Sequence, residues 1–281
     1  MFLIPLLSAL LQASSSTIDK VILRMRRVTF QMYAGASFPL IFLVTLILFL
    51  VFRPPFSFTL FTGTAGLFFV ITVLITIGNN LIFYRALKTD SLGEMQMLDL
   101  VHNIPVIVLT SLFFADERNG YVIVLALIAT LLIIWSHWEN HHLKIAKKSR
   151  LFLLWSITFA PLMAPIAKVL LVSWHPISLE LARTGAVALL LWPFFVKQVR
   201  ETSPRTFTLL VITNTLSALA WILLYFSYQY FGVVYSTLLF LLHPLFVYFA
   251  SLAFLKEKFQ WKKLTAFIII LCSIAAAQFF I

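Results

Sequence analysis

The feature that most constrains this chain is where its charges are missing. Apolar runs of roughly 20 residues follow one another from end to end, interrupted only by short connections that hold most of the Lys and Arg residues. A helix of that length spans the hydrocarbon core of a bilayer. In lipid it is also one of the few structures that satisfies every backbone N–H and C=O internally. Hydrophobic residues make up 62% of the chain and charged ones 11%, against about a quarter charged in soluble domains. A soluble enzyme, a nucleic-acid module and a disordered segment are excluded.

The runs predict an all-α integral membrane protein with ten transmembrane helices near residues 2–23, 30–52, 61–84, 93–115, 120–138, 151–172, 178–196, 206–229, 232–255 and 262–281. The first run is read as a retained helix, because no basic residue precedes it as in a signal peptide. Ser136 to Arg150 is the longest hydrophilic stretch and falls at the midpoint. The expected organisation is residues 1–138, a basic linker at 139–150, and residues 151–281.

Lys and Arg outnumber Asp and Glu by 21 to 10. Of these 21 cations, 17 lie in odd-numbered connections; Arg53 and Arg118 lie in even ones, and Lys168 and Arg183 lie within helices. Short basic loops are retained in the cytoplasm, so the bias predicts an inner or plasma membrane protein with cytoplasmic odd loops and both termini outside. The basic balance is a membrane signature, and no nucleic-acid partner is expected. Cys272 is the only cysteine, which rules out an intramolecular disulfide and a thiolate metal cluster.

The fourth helices of the two halves share a pattern. Gly93 and Pro105 match Gly232 and Pro244 at a fixed offset, Ser111-Leu112-x-Phe114-x-x-Glu117 matches Ser251-Leu252-x-Phe254-x-x-Glu257, and Lys20 corresponds to Lys168. With an odd number of helices per copy, the second copy would insert upside down. Inverted repeats of this kind occur in secondary transporters, whose binding site lies at the midplane between the copies.

On Pro105 with Glu117, Pro244 with Glu257, and Lys168 and Arg183 in the opening helices of the second half, the chain resembles the ten-helix EamA-type transporters of the drug/metabolite transporter superfamily. The resemblance implies a basket of helices around a central cavity, walled by the third, fourth, eighth and ninth and braced by the fifth and tenth. Two departures are visible: Gly35 stands at the first-half position of Arg183, and the charge bias favours external termini where the family usually has cytoplasmic ones.

Polar side chains within the spans mark the candidate site, since ionisable groups in a membrane face a cavity or another polar group. Met95, Gln96, Asp99, His102 and Asn103 share one face of the fourth helix, either a cavity wall or an interhelical seam. The eighth carries Asn214, Ser217, Trp221, Tyr225 and Tyr228, a polar start grading into an aromatic stripe that suits a cation or a planar group; Tyr228 reads as an interface anchor. The third contributes Thr72, Thr76, Asn79 and Asn80, and the first Gln12 and Asp19, the latter either a coupling carboxylate or half of an interfacial ion pair with Lys20. Glu180 and Arg183, one turn apart, read as a structural ion pair. Lys168 needs an anion, either a substrate carboxylate or a buried acid. His243 is read as a kink hydrogen bond or a proton relay. Pro105 and Pro244 are candidate gating kinks.

The candidate binding residues are Gln12, Thr76, Asn79, Asn80, Asp99, His102, Asn103, Lys168, Asn214, Ser217, Trp221, Tyr225 and His243, with Asp99 and Asp19 as proton-coupling candidates. No GxxxxGK[ST] or HExxH pattern occurs, so neither ATP hydrolysis nor a zinc protease mechanism is expected, and no cofactor or metal is called for. The reading is a secondary transporter, monomeric or homodimeric, that moves an amino acid or related amphipathic zwitterion by alternating access with proton coupling through Asp99. The alternative is a membrane enzyme or lipid-handling protein with a laterally open cavity.

Overall fold

A computed structural model describes residues 3–25, 28–90, 92, 95, 99, 101–136, 149–199, 202–255, 259, 261–277 and 279. Gly93, Gln96, Glu257 and nearly all of the 139–150 linker lie outside the described residues. In chain order the helices are α1 (Leu3–Arg24), α2 (Phe30–Phe52), α3 (Gly63–Thr89), α4 (Asn103–Phe113), α5 (Gly120–Ser136), α6 (Arg150–Thr158), α7 (Met163–Leu171), α8 (Pro176–Val199), α9 (Pro204–Phe231), α10 (Val233–Phe240), α11 (His243–Leu255) and α12 (Trp261–Ala277). All regular structure among the described residues is helical. Among the described residues, five stretches are long and apolar enough to cross a membrane: α2, α3, α6 with α7, α9, and Val233–Ala250.

Small and polar residues turn inward on α2, and several of its large apolar ones turn outward. On α2, Ala34, Gly35, Ala36, Ser37 and Thr45 are buried, whereas Leu43, Ile47, Leu50 and Val51 are exposed. Lipid tails are as apolar as Leu, so a membrane helix gains little by burying Leu and gains close backbone approach by burying small residues.

The two longest interfaces follow that rule: α2 lies along α8 and α1 along α9, so elements of residues 1–138 are interlocked with elements of 151–281. In the first, Gly185 faces Phe42, whose ring would be 3.0 Å from an added Cβ, and Thr45 and Thr184 share a hydroxyl contact of 3.4 Å. In the second, Ser8 Oγ donates to the Ala220 carbonyl at 2.7 Å and Ser15 Oγ to that of Thr213 at 3.1 Å.

Two of the expected spans are interrupted, and the described part of a third shows the same break. The 151–172 span is divided by a 3-10 turn at Ala160–Leu162, the 232–255 span by a turn at Leu241 and Leu242, and α4 is preceded by a turn at Val101 and His102. Pro105 and Pro244 fall in the first turn of α4 and α11. A proline there removes no hydrogen bond that the helix would otherwise make, so these residues restart helices rather than bend continuous ones.

Glu117 ties the end of the first half to the start of α10. Its buried carboxylate accepts the N–H groups of Val233 at 2.7 Å and Val234 at 3.0 Å. Lys168 Nζ lies 2.5 Å from Oε1 and also pairs with Asp116. An anion at a helix N-terminus meets unpaired N–H groups and the positive end of the dipole. Gly232 makes room for it: φ is +79° with ψ 169°, and an added Cβ would lie 2.7 Å from the Glu117 carboxylate. That backbone region is essentially reserved for glycine, at about 1–3 kcal/mol for any other residue. Gly232→Ala is therefore expected to lower the thermal midpoint in detergent by more than Glu117→Gln, whose amide oxygen still accepts from one of the two N–H groups. Equal midpoints for wild type and Gly232→Ala would show that the contact carries no stability.

Candidate functional site

Where the inward faces converge they leave a cavity of about 180 Å³, more than ten times the roughly 10–15 Å³ that one water needs. Its walls come from both halves. From the first half, Gln12, Ser16 and Asp19 enter on α1, Thr76, Asn79, Asn80 and Tyr84 on α3, and Asp99, His102 and Asn103 at the break before α4. From the second half, Glu180 and Arg183 enter on α8, Ser217, Trp221, Tyr225 and Tyr228 on α9, and His243 at the start of α11. The helix breaks thus place His102, Asn103 and His243 directly on the wall.

The central polar unit is the Glu180–Arg183 pair. Glu180 is fully buried and Arg183 is 4% exposed. Arg183 Nε and Nη2 both donate to Glu180 Oε2, at 2.9 and 2.6 Å, and Nη1 donates to Thr76 Oγ1 at 3.3 Å. The guanidinium carbon lies 4.8 Å from the Trp221 ring centre and 5.6 Å from that of Tyr225. Two hydrogen bonds, a hydroxyl and two aromatic faces hold one cation in place, and they join α3, α8 and α9.

Asp19 is held by neutral donors, accepting the hydroxyls of Tyr33 from α2 and Thr213 from α9. Tyr33 in turn packs edge-on against Tyr84, with ring centres 4.6 Å apart. Asp99 lies 3.6 Å from His102 Nδ1. His243 Nε2 is 3.4 Å from Ser16 Oγ, and its ring stacks on Phe240. Asn80 Nδ2 returns to the Thr76 carbonyl at 2.8 Å. Gln12 Oε1, Asn79 Oδ1, Glu180 Oε1 and the Tyr225 hydroxyl are buried with no hydrogen-bond partner among the described residues.

Two of the binding candidates lie off this wall. Lys168 faces Asp116 and Glu117 beneath α10 and lies 4.9 Å from the Phe114 ring centre. Asn214 is buried and donates to the Leu210 carbonyl at 2.7 Å. Conversely, the sequence reading did not place Ser16, Tyr84, Glu180, Arg183 or Tyr228 in the site, yet all line the cavity. Arg183 and Tyr228 carried usable signals: a cation in mid-span, and a continuation of the aromatic stripe one turn past Tyr225. No group of three or more His, Cys, Asp or Glu suited to a metal ion occurs among the described residues.

The helices and the polar chamber define a helical integral membrane protein with an internal solute-sized site. Residues 147–277 match the family described as the EamA-like transporter family. A protein crystal structure shares the fold with a TM-score of 0.69, covering 98% of this chain and 95% of that one at 13% identity; at that identity the likeness concerns the fold alone. No curated protein matches the sequence.

Removing one partner of a buried ion pair strands the other charge, at about 3–5 kcal/mol, whereas removing both costs less. Arg183→Met is expected to lose most of the folded protein in detergent and Glu180→Gln with Arg183→Met to recover part of it, as read by size exclusion and thermal melting. A single variant as stable as the double would show that the pair is solvated by water in the cavity.

Proposed function

We propose that the protein is a secondary transporter that moves a small organic metabolite, an amino acid or a related amphipathic zwitterion, by alternating access. Two antiparallel five-helix copies, 1–138 and 151–281, rock about the cavity, with 139–150 as the linker between them. The observation that carries this reading is a solute-sized chamber whose wall combines carboxylates, an arginine, amides and aromatic rings drawn from both halves. The interrupted helices around it support the same reading, because transporter sites use helix breaks to present polar groups at mid-membrane. The EamA match of the second half agrees with it.

Asp99 and Asp19 are the proton sites in this mechanism. A carboxylate facing a chamber that opens to one side at a time can take a proton from one compartment and release it to the other. Asp99 has His102 beside it, and Asp19 has two hydroxyl donors that hold the carboxylate while its proton exchanges. In proteoliposomes, Asp99→Asn is expected to abolish uptake driven by a pH gradient while leaving the melting temperature close to that of wild type. Uptake with an unchanged response to pH would remove Asp99 from the mechanism and leave Asp19→Asn as the variant that decides.

The charge bias orients the protein with the linker in the cytoplasm and both termini outside. Single cysteines at residue 145 and at the C-terminus, in a Cys272→Ser background, are expected to label from opposite sides of the membrane. Labelling of both from one side would break that topology, and labelling of residue 145 from outside would reverse it.

A further inference from the structure

Glu180 spends one oxygen and leaves the other idle. Its Oε2 receives both Arg183 donors, while Oε1 has no partner among the described residues, although the side chain is fully buried and forms part of the cavity wall. A buried acceptor without a donor is unfavourable. A carboxylate oxygen is unambiguous here, unlike an amide, whose ends can be exchanged. Whatever completes this site must bring an N–H or O–H.

Charge narrows the choice. Arg183 is the only Arg or Lys among the described wall residues. It is already committed to Glu180 and Thr76, with Trp221 and Tyr225 beside it, so it balances Glu180 and little else. Asp19 and Asp99 remain, the first bonded to hydroxyls and the second beside a histidine. A low-dielectric chamber with that balance concentrates cations and repels anions. Beside its amides, hydroxyls and two histidines, the wall presents hydrocarbon and ring at Phe38, Phe83, Met163, Leu224 and Phe240.

We propose that the cavity is an amine site, in which Glu180 Oε1 accepts a hydrogen bond from a protonated primary amine whose apolar body lies against the aromatic wall. The amine end is required and a carboxylate is not. This rests on the transporter reading and specifies its substrate: among metabolites of similar size, amines and amine-bearing compounds bind and isosteric acids do not.

The test uses purified full-length protein in detergent, with three probes of nearly equal shape: 2-phenylethylamine, 2-phenylethanol and 3-phenylpropionate. The amine is expected to raise the melting temperature in a saturable, concentration-dependent way, as a ligand that binds only the folded state must, and the alcohol and the acid are not. Glu180→Gln should weaken the amine response at least tenfold, while Glu117→Gln, which lies outside the cavity, should preserve it. Should Glu180→Gln fail to fold, the wild-type series decides alone. Equal shifts for amine and alcohol, a shift for the acid only, or no shift with either 2-phenylethylamine or n-butylamine overturns the proposal. Proteoliposome flux separates it from the transporter reading. An amine that binds and is not moved leaves the site standing and removes the carrier, whereas movement of acids without any amine response removes the site and leaves the carrier.

Discussion

Hydrocarbon offers no hydrogen bonds, and this constraint organises the whole molecule. A polar side chain in a span gains most by finding a partner within the protein, so polar residues of separate helices are drawn toward one another. Ser8 and Ser15 meet carbonyls of α9, Thr45 meets Thr184, and Asp19 meets Tyr33 and Thr213. Where more polar groups converge than can satisfy one another, a chamber remains.

The chamber and its supports form one network. Arg183 bonds to α3 through Thr76, pairs with Glu180 on its own helix, and lies beside two rings of α9; a change at any of these residues disturbs the others. At the Glu117 contact, one carboxylate satisfies two N–H groups at the start of α10 and a lysine of α7. The first network leaves one carboxylate oxygen of a wall residue without a partner among the described residues, while the second is closed on itself. That difference separates a surface able to take a ligand from one that braces the frame.

Much of the inward-facing polarity was legible along the chain because helical phase survives folding. Asp99, His102 and Asn103 fall on one face by spacing alone, as do Ser217, Trp221 and Tyr225, and all six line the cavity. Phase cannot rank depth, however. Lys168 and Arg183 look alike in sequence, each a lone cation inside an apolar run. One faces Asp116 and Glu117 and the other the cavity, because the acids that attract Lys168 come from a turn some fifty residues away. Glu180 read as the structural partner of Arg183, and it is that partner; that one of its oxygens has no donor among the described residues could not be read from the spacing of the pair.

Hydropathy by itself determined the helical class, the membrane setting and the inward polar faces, since these follow from local composition and a 3.6-residue period. The interruptions at Ala160–Leu162 and at Leu241 and Leu242, the interlocking of α1 with α9 and α2 with α8, and the membership of the cavity wall were decided only by tertiary structure. Each of these depends on which distant helix supplies a donor, an acceptor or a small residue at the point of contact, and that pairing energy has no counterpart along a single strand of sequence.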